Sequence, residues 1–176
     1  MLRAVEVLEV PVRADDSLTL PFELRQRSRL VTRSDAGREI LLTLPRGGVL
    51  RHGALLRVSD GSVLEVLAAP ESLSVVESDS AVELLRAAYH LGNRHVALQI
   101  DARGLRYLHD HVLDAMLVGL GLSPRALEGP FEPEHGAYGH AHAHEAHARE
   151  AHPHEAHAHE GGSAHGAHGA HEHDHD

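Results

Sequence analysis

Residues 80–100 read SAVELLRAAYHLGNRHVALQI. Ser80 followed three residues later by Glu83 has the form of a capping box, in which two side chains satisfy the free N–H groups at a helix start. Val82, Leu85 and Tyr89 then recur at helical spacing, and Gly92 is the expected C′ residue that ends the helix. Val96, Leu98 and Ile100 alternate, which is the period of a strand. The stretch therefore predicts a helix, a Gly-Asn-Arg turn and a strand, with His95 presented at a surface corner where the strand begins.

The flanking sequence extends this unit in both directions. Upstream, Leu73, Val75 and Glu77 suggest a strand. Downstream, Gly104 lies in the turn to a short strand over 105–108, and Asp110 is a candidate N-cap. Val112, Leu113, Met116, Leu117 and Leu120 give one apolar helical face, closed by Gly121, and a last strand is expected over 126–131. The order β-α-β-β-α-β is the ferredoxin-like arrangement.

Residues 1 to about 76 read as β-structure. Leu18, Leu20, Phe22 and Leu24 alternate, as do Ile40, Leu42 and Leu44, with turn residues at 35–37 and 45–48. Leu56 and Val58 lead into Asp60-Gly61, a two-residue hairpin signal, and residues 63–67 return. Pro70 reads as a linker. The chain is thus predicted to be α+β, with a β-rich domain at 1–72, a ferredoxin-like domain at 73–134 and a tail at 135–176. Domains this small are marginal alone, which favours a homodimer. The tail has no branched aliphatic residue, cannot offset its ordering entropy and is expected to be disordered without metal.

Charge and composition exclude several functions. Of the 19 histidines, 14 fall in the tail, with seven acids and one arginine, giving it a formal charge of −6. The rest carries 19 acids and 15 arginines, or −4, for the total of −10. There is no lysine and no basic tract, which disfavours nucleic acid as a partner. The absence of cysteine excludes disulfides, thiolate metal sites and cysteine nucleophiles. The N-terminus lacks the pattern of a signal peptide, and no run of about 18 apolar residues offers a membrane span, so a cytoplasmic location is expected.

What remains is imidazole chemistry. Tail residues His140, His142, His144, His147, His152, His154, His157 and His159 are closely spaced on a flexible chain, so a second ring binds an ion at high effective concentration. Neutral imidazole suits Ni²⁺, Zn²⁺ and Cu²⁺. In the core, His95 and the cluster His109-Asp110-His111 are the other candidates. Taken alone, His95 reads more readily as a solvated or hydrogen-bonded surface residue than as a ligand, and Asp110 with its neighbours reads equally as plain helix capping. Residues two apart share a face in extended structure but lie roughly 200° apart on a helix. The two rings can therefore share an ion only where His109 ends the strand and His111 enters the helix. A metal-dependent hydrolase is disfavoured: Asp114 follows the second histidine by three residues rather than two, and no further histidine follows it.

Three stretches together carry a family resemblance. Residues 90–99 (HLGNRHVALQ), 105–114 (LRYLHDHVLD) and 130–139 (PFEPEHGAYG) strongly resemble, in order, the signatures of the urease accessory metallochaperone family UreE. Arg25, Arg27, Arg29 and the segment 44–48 also look like that family's β domain. The resemblance implies a first domain for protein contact and a second that pairs into a homodimer. It implies that His95 supplies a nickel site at the dimer interface, one ring from each subunit, and that His109 and His111 are peripheral ligands. It further implies donation of Ni²⁺ during urease assembly, no enzymatic activity, and the urease accessory GTPase with apo-urease as partners. The alternative is a histidine-rich nickel or zinc store in which the tail itself is the function.

Overall fold

A computed structural model of the chain describes residues 2–44 and 47–135. The tail from residue 136, with the eight histidines named above, lies outside the described residues.

The first half contains β1 (Leu2–Leu8), β2 (Asp16–Leu20), a single-turn α1 (Phe22–Arg25), β3 (Arg29–Arg33), β4 (Glu39–Thr43), β5 (Leu55–Val58) and β6 (Val63–Ala68). The strands form one sheet in the order β2-β6-β5-β1-β4-β3. It is parallel at β1–β4 and β2–β6 and antiparallel elsewhere. Inward-facing Leu18, Leu20, Ile40, Leu42, Leu56, Leu64 and Val66 make its core. The alternation from Leu18 to Leu24 does not continue as one strand. Pro21 has no N–H for a ladder, and its carbonyl instead accepts the N–H groups of Leu24 and Arg25, both at 3.1 Å, closing α1. The Asp60-Gly61 hairpin is also longer than expected, with Ser59–Ser62 between the strands. The Asp60 carboxylate accepts the backbone N–H of Ser62 at 3.0 Å and shapes that wider loop.

Pro70, expected as a linker, opens a strand. The second half runs β7 (Pro70–Glu77), α2 (Ala81–Gly92), β8 (Gln99–Asp101), β9 (Gly104–Leu108), α3 (His111–Gly119) and β10 (Arg125–Pro130). Its sheet has the order β10-β7-β9-β8 with every neighbour antiparallel, which is the ferredoxin-like topology. Gly104 has a steric reason: a Cβ there would stand 2.5 Å from the carbonyl oxygen of Val76 on β7.

The buried face of α2 differs from the one its large residues suggest. Val82, Leu85 and Tyr89 are 64–70% exposed. The helix instead rests on Leu84, Ala87, Ala88 and Leu91, packed with Val76, Leu105, Tyr107, Leu117 and Leu122. The strand after it is shorter than predicted, since Val96 to Leu98 precede β8. Only half of the capping box forms: Ser80 Oγ accepts the Glu83 N–H at 3.4 Å, while the Glu83 carboxylate turns to the Ser78 hydroxyl at 2.6 Å.

The two halves share a third small core of Phe22, Leu73 and Phe131, the two rings meeting edge to face at 5.3 Å. Beside it the Arg25 side chain is fully buried. Its guanidinium donates to the carbonyls of Leu20 (3.1 Å), Leu50 (3.0 Å) and Phe131 (2.5 Å) and pairs with the Glu132 carboxylate. A buried charge is tolerated only when paired and hydrogen-bonded in this way.

Candidate metal-binding sites

His95 sits where α2 ends, and the chain there is held tightly. The Val96 N–H reaches the Leu91 carbonyl (3.3 Å) and the His95 N–H reaches that of Gly92 (2.9 Å). These are the two bonds of a Schellman motif, with His95 itself at C′. Gly92, expected to fill that role, remains inside the helix. His95 has φ +57°, and no other described non-glycine residue has a positive φ. Left-handed backbone is disfavoured for residues with a Cβ, by about 1–2 kcal/mol. Val96 and Leu91 both belong to the apolar core of the domain, which locks the turn. The exposed imidazole stands on the wall of an open cleft of about 590 Å³. Phe22 and Val49 of the first half also line it, as do Ile100 and His135 of the second. His135, at the root of the tail, accepts a bond from Arg51 Nε at 3.2 Å.

The second candidate lies at the junction of β9 and α3. His109 directly follows the strand, and its N–H extends the ladder to the Ser72 carbonyl at 3.0 Å. Asp110 is the N-cap, its carboxylate accepting from Val112 N at 2.7 Å and Leu113 N at 3.3 Å. His111 is the first helical residue. The two histidines thus straddle the strand-to-helix junction, the one arrangement in which the sequence reading allowed their rings to share an ion. Both histidines are exposed.

Three residues around His109 were not singled out as site residues from the sequence. Ser74 on β7 pairs in register with Tyr107 on β9, and both are fully buried. Ser74 Oγ lies 3.0 Å from His109 Nδ1, and Asp114 Oδ2 lies 3.3 Å from the same nitrogen. The Tyr107 hydroxyl donates to Asp114 Oδ1 at 2.7 Å. Burial, and then the bond to Asp114, pushes the Tyr107 phenol well above its ordinary value, so it stays a donor. No group of three or more His, Asp or Glu side chains converges on an ion among the described residues. His95 and the His109–His111 pair are thus separate features of the chain.

The model of the UreE urease accessory protein N-terminal domain matches residues 1–69, and that of the UreE C-terminal domain matches residues 71–176. The chain belongs to the UreE family of urease accessory proteins. A urease accessory protein UreE of Alkalilimnicola ehrlichii is 55% identical over 139 residues, covering 79% of this chain and 85% of that one. One from Ralstonia nicotianae is 51% identical over 135 residues, 77% of this chain and 64% of that one. One from Pseudomonas putida strain W619 is 56% identical over 123 residues, 69% of this chain and 76% of that one. Family membership assigns the chain an accessory role in urease maturation. The boundary between the two family domains falls at the β6–β7 junction, where Ala69 alone separates the strands.

Proposed function

We propose that the chain is a nickel-binding metallochaperone, acting in the cytoplasm, that donates Ni²⁺ during assembly of the urease active site. The observation that carries this reading is His95 at the left-handed C′ position of α2. Glycine would serve the turn at no steric cost, so a histidine there is better explained by its ring than by folding. Strained backbone of this kind clusters at functional sites.

A single exposed imidazole does not complete a nickel coordination sphere. The reading takes the remaining donors from a second copy of the chain and from the tail. Val82, Leu85 and Tyr89 form an exposed apolar stripe along α2. It runs towards the His95 turn, and a two-fold partner would cover it and bring a second His95 alongside. The His109–His111 pair is then a peripheral site and the tail a reservoir. The accessory GTPase and apo-urease are the proposed recipients. Zn²⁺ and Cu²⁺ suit the same nitrogen donors, so nickel must be favoured by supply and partners.

The test is calorimetric nickel titration of the chain ended after Glu134, with and without His95→Ala, beside sedimentation without metal. A dimer whose tightest site vanishes in the variant is expected. Unchanged tight binding, or a monomer at micromolar concentration, would overturn the reading. If tail removal left urease activation intact, delivery rather than storage would be the role of the core.

A further inference from the structure

We propose that Asp114 is the positioning residue that makes His109 a nickel ligand, by fixing the proton on Nδ1 and leaving Nε2 to bind. The inference rests on the reading of His109 and His111 as a peripheral nickel pair, and adds which of the two is preset and by what.

A neutral imidazole carries one N–H and one lone pair, and its surroundings decide which nitrogen has which. An ionised carboxylate can only accept. With Asp114 Oδ2 at 3.3 Å from Nδ1, a lone pair on that nitrogen would face another lone pair, whereas a proton there is stabilised. Ser74 Oγ, at 3.0 Å on the same nitrogen, is free to accept as well. The proton therefore resides on Nδ1. Nε2 makes no hydrogen bond among the described residues, and the side chain is 46% exposed, so its lone pair is available to an ion from solvent. Metal-bound histidines commonly give their second N–H to a carboxylate in this way.

The carboxylate is itself held. Tyr107 donates to Asp114 Oδ1 at 2.7 Å from a fully buried position on β9. Tyr107 and His109 are two residues apart on one extended segment, so both side chains leave the same face. Asp114, in the first turn of α3, meets them there. The network thus spans β7, β9 and α3 and fixes the ring to the domain's framework. His111 has no side-chain hydrogen bond among the described residues and is exposed. His109 is the anchored ligand, and His111 closes onto an ion already held.

Asp114→Asn separates this role from a structural one. The asparagine carbonyl can still accept from Tyr107, but its NH₂ group would face the ring, and two donors cannot meet. The proton then moves to Nε2 and blocks the outward nitrogen. Two readouts are needed. In the full-length, metal-free chain, long-range proton–nitrogen NMR at alkaline pH distinguishes the tautomers, with the His109 signals assigned by their loss in His109→Asn. His109 is expected as the Nδ1–H form, changing to Nε2–H in Asp114→Asn. Nickel binding is measured with Ni²⁺ alone on the full-length chain carrying asparagine at the tail histidines. Asp114→Asn should weaken the peripheral site by roughly ten- to a hundredfold, as loss of an outer-shell partner does, with little change in melting temperature.

An Nε2–H tautomer in the parent chain, or a tautomer unmoved by Asp114→Asn, overturns the proposal. So does a loss of affinity that merely tracks a loss of thermal stability. If His109→Ala itself left nickel binding unchanged, the peripheral-pair reading would fall, and with it the metal half of the proposal, while the tautomer result would still stand on its own.

Discussion

At the end of α3 the chain turns through Gly121, with φ +88°; at the end of α2 it turns through His95, with φ +57°. The hydrogen bonds are equivalent. Gly121 and Leu122 donate to the carbonyls of Val118 and Leu117, as His95 and Val96 donate to those of Gly92 and Leu91. In each pair an apolar residue follows the left-handed one and packs into the same core. The backbone therefore asks for glycine at both ends, and only α3 complies. On the function proposed above, the difference is what the metal site adds to the demands of folding at that helix end.

The largest expected effect lies on the metal side of this comparison. His95→Ala and His95→Gly should both remove the tightest nickel site from the tail-deleted chain, a loss of at least about a hundredfold if two imidazoles are removed from a dimer site. Titration calorimetry checks it, and retention of tight binding in either variant would dissolve the contrast between the two ends. Next comes Gly121→Ala. Nothing lies within 4 Å of a Cβ at that position, so the cost is backbone strain alone, about 1–2 kcal/mol. Thermal unfolding should fall by a few degrees, and an unaltered midpoint would show that left-handed strain is cheap in this domain.

His95→Gly sharpens the comparison from the other side. It should be more stable than His95→Ala by about 1 kcal/mol in chemical denaturation, because it relieves the strain that alanine retains. Equal stabilities would mean that the turn tolerates a Cβ freely. The smallest effect concerns the opposite ends of the same helices. Asp110 accepts from two N–H groups, the nearer at 2.7 Å, while Ser80 accepts from one at 3.4 Å. Asp110→Ala should cost about 1 kcal/mol and Ser80→Ala about half that. The reverse order would show that the α2 start depends on Ser80 more than its geometry indicates.

The order of elements was legible because turns and periodicities are local. The faces were not. In α2 the large residues Val82, Leu85 and Tyr89 catch the eye, yet the helix turns Ala87 and Ala88 to the sheet, since small side chains allow close approach. The bulky stripe is left outside. Alternation misled at Leu18–Leu24, where Pro21 stops the ladder, and at Val96–Ile100, where the segment before β8 bonds instead to the chain after β10, Glu134 N to Leu98 O at 2.7 Å. The histidines of the site were visible as residue types. The left-handed state of His95 was not, because Gly92 offered a more ordinary helix stop. Nor was the link from Asp114 to His109, which depends on how the first turn of α3 sits over β9.

The buried Arg25 has a mechanical consequence. Forward along the chain, the two halves are joined through Ala69 alone. A single backbone link is a hinge. But the chain comes back: after β10, Phe131 and Glu132 are gripped by Arg25, and Arg51 holds the Pro133 carbonyl at 2.6 Å. The halves are therefore fastened at two points, which restrains the swing that a single link would allow. A pull on the chain beyond β10 is carried first by this clasp, before it reaches the wall that bears His95.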